Sequence, residues 1–389
     1  MQKARFLIAA AVFLTIALLL PLVADLLPDH TRTLTRAPEI ISRAYIDRVV
    51  NFVVSGRRAD MVVAGSSLVI FPHLLTDGYY EKVPVPVPDP IEYADFLKRY
   101  VDMAHFKALL RDHSFRGASS NQEARSVIDL GVPSLMLSDC VLLFQKLQNN
   151  GALPHEVILL LAPRDFMDNT VAAERNLFSH EINGRVTLRE LSGARDAQSF
   201  LSGVGTAANY WANAWCKLFR NSFQRISLAV KKLGRQPKSE ITQGGPAREQ
   251  ALKHFYFGDG KFSDLEIYKK RYNPPDHRRI KEQLAAMGTL LDQLQSQNVH
   301  TVVVSMPLTE KNIALIDKDA HKEILEGMRS ACQSRSIRFI SSEQFGTYPN
   351  DAFVDSVHLN AKGGHEFFIS LARQLTWQAS QDLRRARAR

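Results

Sequence analysis

Short runs of β-branched and aliphatic residues alternate along the chain with longer stretches in which apolar positions repeat with helical spacing. Parallel strands need crossovers as long as a helix, so this alternation predicts a parallel sheet covered by helices. Five runs are predicted to be its strands: Met61 to Ala64, Ser126 to Leu130, Val157 to Leu161, Thr301 to Ser305 and Ile337 to Ile340. We therefore predict an α/β fold, a three-layer α/β/α arrangement with about five parallel strands.

The strongest helical pattern runs from Pro275 to about Asn298. Its apolar residues recur at alternating spacings of four and three and form one stripe: Ile280, Leu284, Met287, Leu291 and Leu294. Such a stripe buries one face of a helix. We expect this helix to pack on the sheet just before the fourth strand.

Two stretches exceed a minimal α/β scaffold. In Phe71 to Arg125, proline occupies every second position from Pro84 to Pro90, which favours an extended segment overhanging the end of the first strand. In Met167 to about Gly260, the segment from Tyr210 to Leu233 interleaves aromatic residues with Lys and Arg. That pattern predicts a basic amphipathic helix, which either lies on a membrane or partner surface or fills a core beside the sheet.

The N-terminus has the pattern of a membrane anchor. Lys3 and Arg5 precede nineteen residues, Phe6 to Ala24, that are apolar except for Thr15. This run can cross a bilayer, and the positive-inside rule places the body on the extracytoplasmic, periplasmic side. A cleaved signal peptide is the alternative, although its apolar region is usually shorter. The chain is accordingly divided into an anchor (1–30), a linker (31–56), a body (57–378) and a basic tail (379–389).

Composition narrows the chemistry further. The three cysteines, Cys140, Cys216 and Cys332, have neither a CxxC nor a Cys/His spacing, which argues against a zinc site or a disulfide framework. The formal net charge of +9 indicates an anionic neighbour, but no nucleic-acid-binding motif accompanies the dispersed basic residues. A phospholipid surface or an acidic glycan fits better than DNA. No metal or organic cofactor is expected.

Candidate catalytic residues lie near the two ends of the body. The first predicted strand runs into Gly65-Ser66-Ser67, and ligands bind at the carboxyl ends of parallel strands. Near the C-terminus, Asp355 precedes His358 by three residues, so its carboxylate can hold Nδ1 while Nε2 acts as base toward a serine hydroxyl. Each signal alone is common in turns and surface loops. Together they predict a Ser-His-Asp site with Ser67 or Ser66 as nucleophile.

Four short blocks follow one another along the chain: Gly65-Ser66-Ser67, Asp129-Leu130-Gly131-Val132-Pro133-Ser134, Ala162-Pro163-Arg164-Asp165 and Asp355-x-x-His358. Their order and their placement after successive strands resemble the SGNH, or GDSL-like, hydrolase superfamily. The resemblance spans about Asp60 to Arg373 outside the two insertions. It implies a flavodoxin-like fold, with Ser67 as the nucleophile and His358 and Asp355 completing the triad.

The same resemblance implies further site residues. Gly131, Ser134 and Arg164 match the positions that form the oxyanion hole in the family, and Asp165 and Asn360 are expected to contact substrate. At two positions the chain departs from the family, which usually has Gly in place of Ser134 and Asn in place of Arg164. Ser134 retains its backbone N–H. Arg164 can donate to an oxyanion, pair with Asp165 or bind a substrate carboxylate.

Membrane-anchored members with a Gly-Ser-Ser first block look most similar, notably proteins that serve cell-wall D-alanylation and exopolysaccharide O-acetylation. The resemblance therefore implies a serine-dependent O-acyl esterase or acyltransferase that acts on an acylated cell-surface or extracellular carbohydrate. A multi-spanning O-acyltransferase in the membrane is the implied partner. The rival hypothesis is a catalytically weak or inactive subunit that binds glycan or docks on such an acyltransferase, and Arg164 is the residue that favours it.

Overall fold

The computed structural model describes residues 37–86, 90–113, 125–170, 246–258 and 262–387 of the chain. One parallel sheet has the strand order β2-β1-β3-β4-β5. The strands are β1 Met61–Gly65, β2 Val127–Asp129, β3 Glu156–Leu161, β4 His300–Ser305 and β5 Arg338–Ile340. This is the flavodoxin-like order, and it confirms the predicted α/β class and all five strands.

Helices flank the sheet on both faces. Within the described ranges the α-helices are α1 Ala37–Ser55, α2 Ser67–Tyr80, α3 Pro90–Leu97, α4 Ala104–His113, α5 Leu137–Asn149, α6 Arg164–Met167, α7 Pro246–Phe257, α8 Leu265–Tyr272, α9 His277–Ser296, α10 Glu310–Ile313, α11 Lys318–Gln333 and α12 Ala361–Arg387. Short 3₁₀ turns occur at Ser342–Phe345 and Asn350–Ala352. The crossovers from β1 to β2 and from β3 to β4 run in opposite directions, so right-handed connections place their helices on opposite faces. Helices α2, α4 and α12 pack together in one layer, and α5, α9 and α11 in the other.

The core lies between these layers and the sheet. Strand β1 is buried at all five positions, as expected for a strand covered on both faces. The apolar stripe of α9 is buried at Ile280, Met287, Leu291 and Leu294, which confirms the helix predicted from the spacing. Its N-terminus is capped by Asp276, whose carboxylate accepts from the Arg279 N–H at 3.0 Å.

The structure differs from the sequence interpretation in two ranges. The supposed linker, 31–56, contains α1, which packs on the core through buried residues such as Val49 and Val53. The first supposed insertion, 71–125, contains most of α2 and all of α3 and α4, whereas residues 82–86 of its proline-rich part lack regular structure, as expected. These helices are part of the layer that covers the sheet.

Several predictions concern residues outside the described ranges, including the anchor from Phe6 to Ala24 and the amphipathic segment from Tyr210 to Leu233. In the part of the chain that is described, no helix combines the length and apolar character needed to cross a bilayer. The basic tail continues α12 as far as Arg387.

Candidate active site

The candidate site lies where the strand order reverses. Strand β1 has β2 on one side and β3 on the other, and connections leave these strands toward opposite faces, which opens a crevice at their carboxyl ends. Ser67 begins α2 directly after β1, and Arg164 begins α6 shortly after β3. Gly65 allows the end of β1 to lie close to β3, because a Cβ at this position would lie 2.3 Å from the carbonyl oxygen of Leu160. The serine and the arginine therefore follow neighbouring strands at the same edge of the sheet.

Ser67, His358 and Asp355 form one hydrogen-bonded line. The Oγ of Ser67 lies 2.8 Å from Nε2 of His358, and Nδ1 of His358 lies 2.7 Å from Oδ2 of Asp355. Ser67 is 4% exposed and His358 is 8% exposed, so the pair is largely sealed but reachable. The structure thus brings together three side chains, of which Ser67 and His358 are 291 positions apart in the sequence.

The acid of this line is fixed by its own loop. The second carboxylate oxygen of Asp355, Oδ1, accepts from the backbone N–H groups of Val357 at 3.0 Å and His358 at 2.9 Å. Burial alone would raise the pKa of Asp355, but the adjacent imidazole and these N–H groups hold the pKa below its ordinary value. The carboxylate is therefore charged at neutral pH and oriented toward Nδ1.

Ser356, between the acid and the base, is held from three directions. Its hydroxyl donates to the carboxylate of Asp264 at 2.6 Å, and its N–H donates to the same group at 3.2 Å. Its hydroxyl oxygen accepts from the amide of Asn312 at 3.0 Å, while its carbonyl accepts from the Thr309 hydroxyl at 2.7 Å. The loop carrying the acid and the base is thereby tied to α8, which follows the second insertion, and to α10.

Phe71 completes the surroundings of the base. It lies one turn after Ser67 on α2, and its ring stacks on His358 with the centroids 4.3 Å apart and an interplanar angle of 27°. The stack holds the imidazole plane from one side. The four-residue spacing from the serine is the only sequence signal that points to Phe71; neither Phe71 nor Asp264 belongs to any of the four blocks.

The predicted oxyanion residues are placed differently from one another. In the described part of the chain, the Ser67 N–H at the start of α2 and the Ser134 N–H have no hydrogen-bond acceptor. Ser134 has a φ of 64°, in the left-handed region that favours glycine. The Gly131 N–H instead donates to Asp129 Oδ1 at 2.6 Å, so it is not available to an oxyanion.

The remaining predicted residues are committed to internal contacts. Asp165 is buried, and its Oδ2 accepts from the Ala162 N–H at 2.9 Å. Burial raises the pKa of this carboxyl, although the nearby Arg164 opposes the shift. Asn360 is fully buried: its amide donates to the carbonyls of Asp351 at 2.7 Å and Phe257 at 3.1 Å. Neither side chain is placed to contact substrate as predicted, because both already satisfy backbone groups.

A buried charge network, which the sequence interpretation missed, lies beneath the crevice. Arg48 of α1 pairs with Asp129 at 3.0 Å and donates to the Gly131 carbonyl at 2.7 Å. His73 of α2 binds Asp129 through Nδ1 at 2.6 Å and approaches Asp77 through Nε2 at 3.3 Å. Burial lowers the pKa of His73, but the two carboxylates outweigh it and raise this pKa to about 9. The network fixes the turn after β2 against α1 and α2.

Among the described residues, no group of three His, Cys, Asp or Glu side chains is arranged to hold a metal ion. The expectation that the protein uses no metal or organic cofactor stays a prediction.

Comparison with known proteins gives one distant likeness. No family model matches the sequence, and no curated protein matches it. Similar solved structures include a presumed lipolytic protein of the G-D-S-L family from Desulfitobacterium hafniense. It is 11% identical, the match covers 81% of this chain and 98% of that chain, and the TM-score is 0.30. At this distance no activity can be transferred, so the functional argument depends on the geometry of the crevice.

Proposed function

We propose that this protein is a serine-dependent O-acyl esterase or acyltransferase. The observation that supports the proposal is the continuous line from Ser67 Oγ through both ring nitrogens of His358 to Asp355, with distances of 2.8 Å and 2.7 Å. A serine hydroxyl is a weak nucleophile by itself and becomes effective when an oriented imidazole accepts its proton. The four blocks that resemble SGNH hydrolases support the same assignment.

The reaction has two halves. Ser67 Oγ attacks the acyl carbonyl carbon while its proton passes to Nε2 of His358, and Asp355 stabilises the resulting imidazolium. The oxyanion that forms is stabilised by the N–H groups of Ser67 and Ser134, the first of which lies at the positive end of α2. The tetrahedral intermediate collapses, the ester C–O bond breaks, and His358 returns the proton to the leaving alcohol oxygen.

The acyl group is then bound to Ser67 as an ester. His358 takes a proton from the acceptor, whose oxygen attacks the acyl carbon. The bond between this carbon and Ser67 Oγ then breaks, and His358 returns the proton to Oγ. Water as acceptor completes hydrolysis, whereas a sugar hydroxyl completes acyl transfer. No redox step or additional reactant is required in either case.

A serine-directed fluorophosphonate probe and a small ester such as 4-nitrophenyl acetate test this proposal. We expect Ser67→Ala to abolish both labelling and hydrolysis, and Ser66→Ala to keep a measurable fraction of each. Thermal unfolding of both variants serves as the control for folding. Equal loss in the two variants would mean that the nucleophile is misassigned. Failure of the wild-type protein to react with either reagent would favour the rival role, a binding subunit without catalysis.

We also propose that the substrate is an acylated carbohydrate outside the cytoplasm and that the chain is held at the membrane. The support is the resemblance to membrane-anchored proteins of polymer acylation and the apolar run from Phe6 to Ala24. The full-length chain should stay in the membrane pellet after alkaline carbonate extraction, and it should release acetate from an O-acetylated polysaccharide. Recovery of the intact chain in the soluble fraction would contradict the anchor.

A further inference from the structure

Arg164 is a buried cation with unused hydrogen-bond donors. Its side chain is 6% exposed and makes one hydrogen bond, from Nη2 to Asp165 Oδ1 at the long distance of 3.4 Å. Asp165 makes no second hydrogen bond to Arg164, because its other carboxylate oxygen accepts from the backbone N–H of Ala162 in its own turn. Nε and Nη1 of Arg164 have no hydrogen-bond acceptor among the described residues. These N–H groups are therefore available to an acceptor that a ligand supplies.

A second unused donor lies beside the arginine. Tyr268 of α8 is 6% exposed, and its hydroxyl has no hydrogen-bond partner in the described ranges. Burial raises the pKa of Tyr268 well above its ordinary value, so the hydroxyl stays protonated and can donate. The phenol is close enough to feel the charges of both Arg164 and Asp355. Its helix, α8, contacts α6, which carries the arginine, so the phenol lies near Arg164 and near the acid of the triad.

The nearby Arg271, unlike Arg164, has a close carboxylate partner. Its guanidinium lies over the ring of Tyr268, 5.2 Å from the centroid, and pairs with Asp168 at 2.9 Å. A short carboxylate contact therefore neutralises Arg271, whereas Arg164 has only the long contact with Asp165. A buried guanidinium without a close counter-charge is costly until an anion arrives.

The position of Arg164 connects this charge to the reaction. It begins α6 after β3, and β3 adjoins β1, which leads into Ser67 at the start of α2, at the point where the strand order reverses. The planar guanidinium presents N–H groups that match the two oxygens of a carboxylate or phosphate. An anionic group on a substrate whose acyl carbon lies at Ser67 could therefore reach it.

We propose that Arg164 and Tyr268 form an anion-binding subsite beside Ser67, and that the substrate is an acyl ester carrying a carboxylate or a phosphate. The inference rests on the proposed function, because it names the substrate class of that same site. The anion can belong to the acyl group, as in the half-ester of a dicarboxylic acid, or to the alcohol, as in an acetylated uronic acid or an acetylated polyol phosphate.

Matched pairs of esters distinguish these sources. The first arm compares 4-nitrophenyl hydrogen adipate with 4-nitrophenyl hexanoate, which places the charge on the acyl side. The second compares O-acetyl glucuronate with O-acetyl glucose, and acetyl glycerol phosphate with acetyl glycerol, which places it on the alcohol side. The readout is the ratio of kcat/KM for the anionic and neutral members, so any loss common to both cancels. We expect a ratio of about 10 to 100 in one arm, the usual strength of a charge-assisted hydrogen bond.

Variants assign that preference. Arg164→Gln should bring the ratio to near one, mainly through KM for the anionic ester, and Arg164→Lys should retain part of it. Tyr268→Phe should reduce it about two- to fivefold. Arg271→Gln is the matched control, since that arginine already has a short carboxylate partner, and it should keep the preference.

The outcomes are separable from those of the proposed function. If the wild-type protein hydrolyses these esters through Ser67 with a ratio near one in every arm, the anion subsite is refuted while the esterase stands. An equal loss of kcat on both members in Arg164→Gln would instead assign the guanidinium to the oxyanion and overturn the proposal. Absence of all hydrolysis, with a folded protein, would reject the esterase itself.

Discussion

The orientation of Asp355 allows a sharp test by the substitution Asp355→Asn. In the native loop one carboxylate oxygen accepts two backbone N–H groups, and the other accepts Nδ1–H of His358. Asparagine has only one oxygen acceptor. Because the two backbone donors claim that oxygen, the amide NH₂ must face Nδ1, which then has to act as an acceptor. The proton moves to Nε2, and the imidazole can no longer accept the proton of Ser67.

The expected fall in kcat follows because His358 is no longer in the tautomer that can act as general base. We expect kcat to fall by about 10³- to 10⁴-fold, with little change in KM, because the interaction is made in the transition state. Hydrolysis of 4-nitrophenyl acetate and the rate of fluorophosphonate labelling should decline together. Thermal unfolding should change little, since the two backbone hydrogen bonds are kept.

Asp351→Asn is the matched control for this variant. Asp351 lies just before the same loop, but its side chain is exposed, and its one ion pair within the described ranges is with Lys362 at 3.1 Å. Its substitution should leave turnover within about twofold, because exposed ion pairs contribute little. A folded Asp355→Asn protein with turnover within tenfold of wild type would refute the reasoning, since His358 would then work without this partner.

Two further outcomes follow from the site and its support. Phe71→Leu should lower kcat roughly 2- to 10-fold with KM unchanged, because an aromatic stack on His358 is lost, and unchanged turnover would mean that the ring does not position the base. His73, with its pKa raised to about 9 by Asp77 and Asp129, stabilises the fold in its protonated form. This contribution is complete below pH 6.5 and is lost as pH rises through 9, so the free energy of unfolding in urea should fall over that window by at most about 3 kcal/mol. A flat or rising unfolding midpoint would contradict it.

The sheet was predictable because its strands are short runs in which apolar residues predominate. Strand β3, for example, is buried on both faces, and its Val-Ile-Leu-Leu-Leu run gives the same signal in the sequence. Helix α1 was not predicted, because its apolar pattern is interrupted. Arg48 interrupts its apolar face, and the carboxylate that neutralises it, Asp129, lies 81 positions later. A local pattern cannot reveal a buried ion pair between distant segments.

The site was predictable where one short segment supplies the geometry. The spacing of Asp355 and His358 fixes their hydrogen bond within a single loop, and strand ends in a parallel sheet meet at one edge, which brings in Ser67. The failures concern side chains whose partners are backbone groups elsewhere. Asn360 resembles a site residue in the sequence, but the carbonyls that its amide binds come from residues brought close only by the fold. Tyr268 carries no motif and follows a long insertion in the sequence, so no local pattern points to it.

The burial of α1 limits how far the body can stand from a membrane. Helix α1 begins at Ala37 and is joined to the core by the Arg48 ion pair. It therefore cannot unfold to lengthen the connection to the membrane without breaking that pair. If Phe6 to Ala24 spans the bilayer, only residues 25–36 connect it to the body. Fully extended, this segment spans about 40 Å, which is less than the diameter of many folded domains. The crevice would then sample polymer in a thin layer next to the lipid, and distal portions of a long glycan would have to be brought to it.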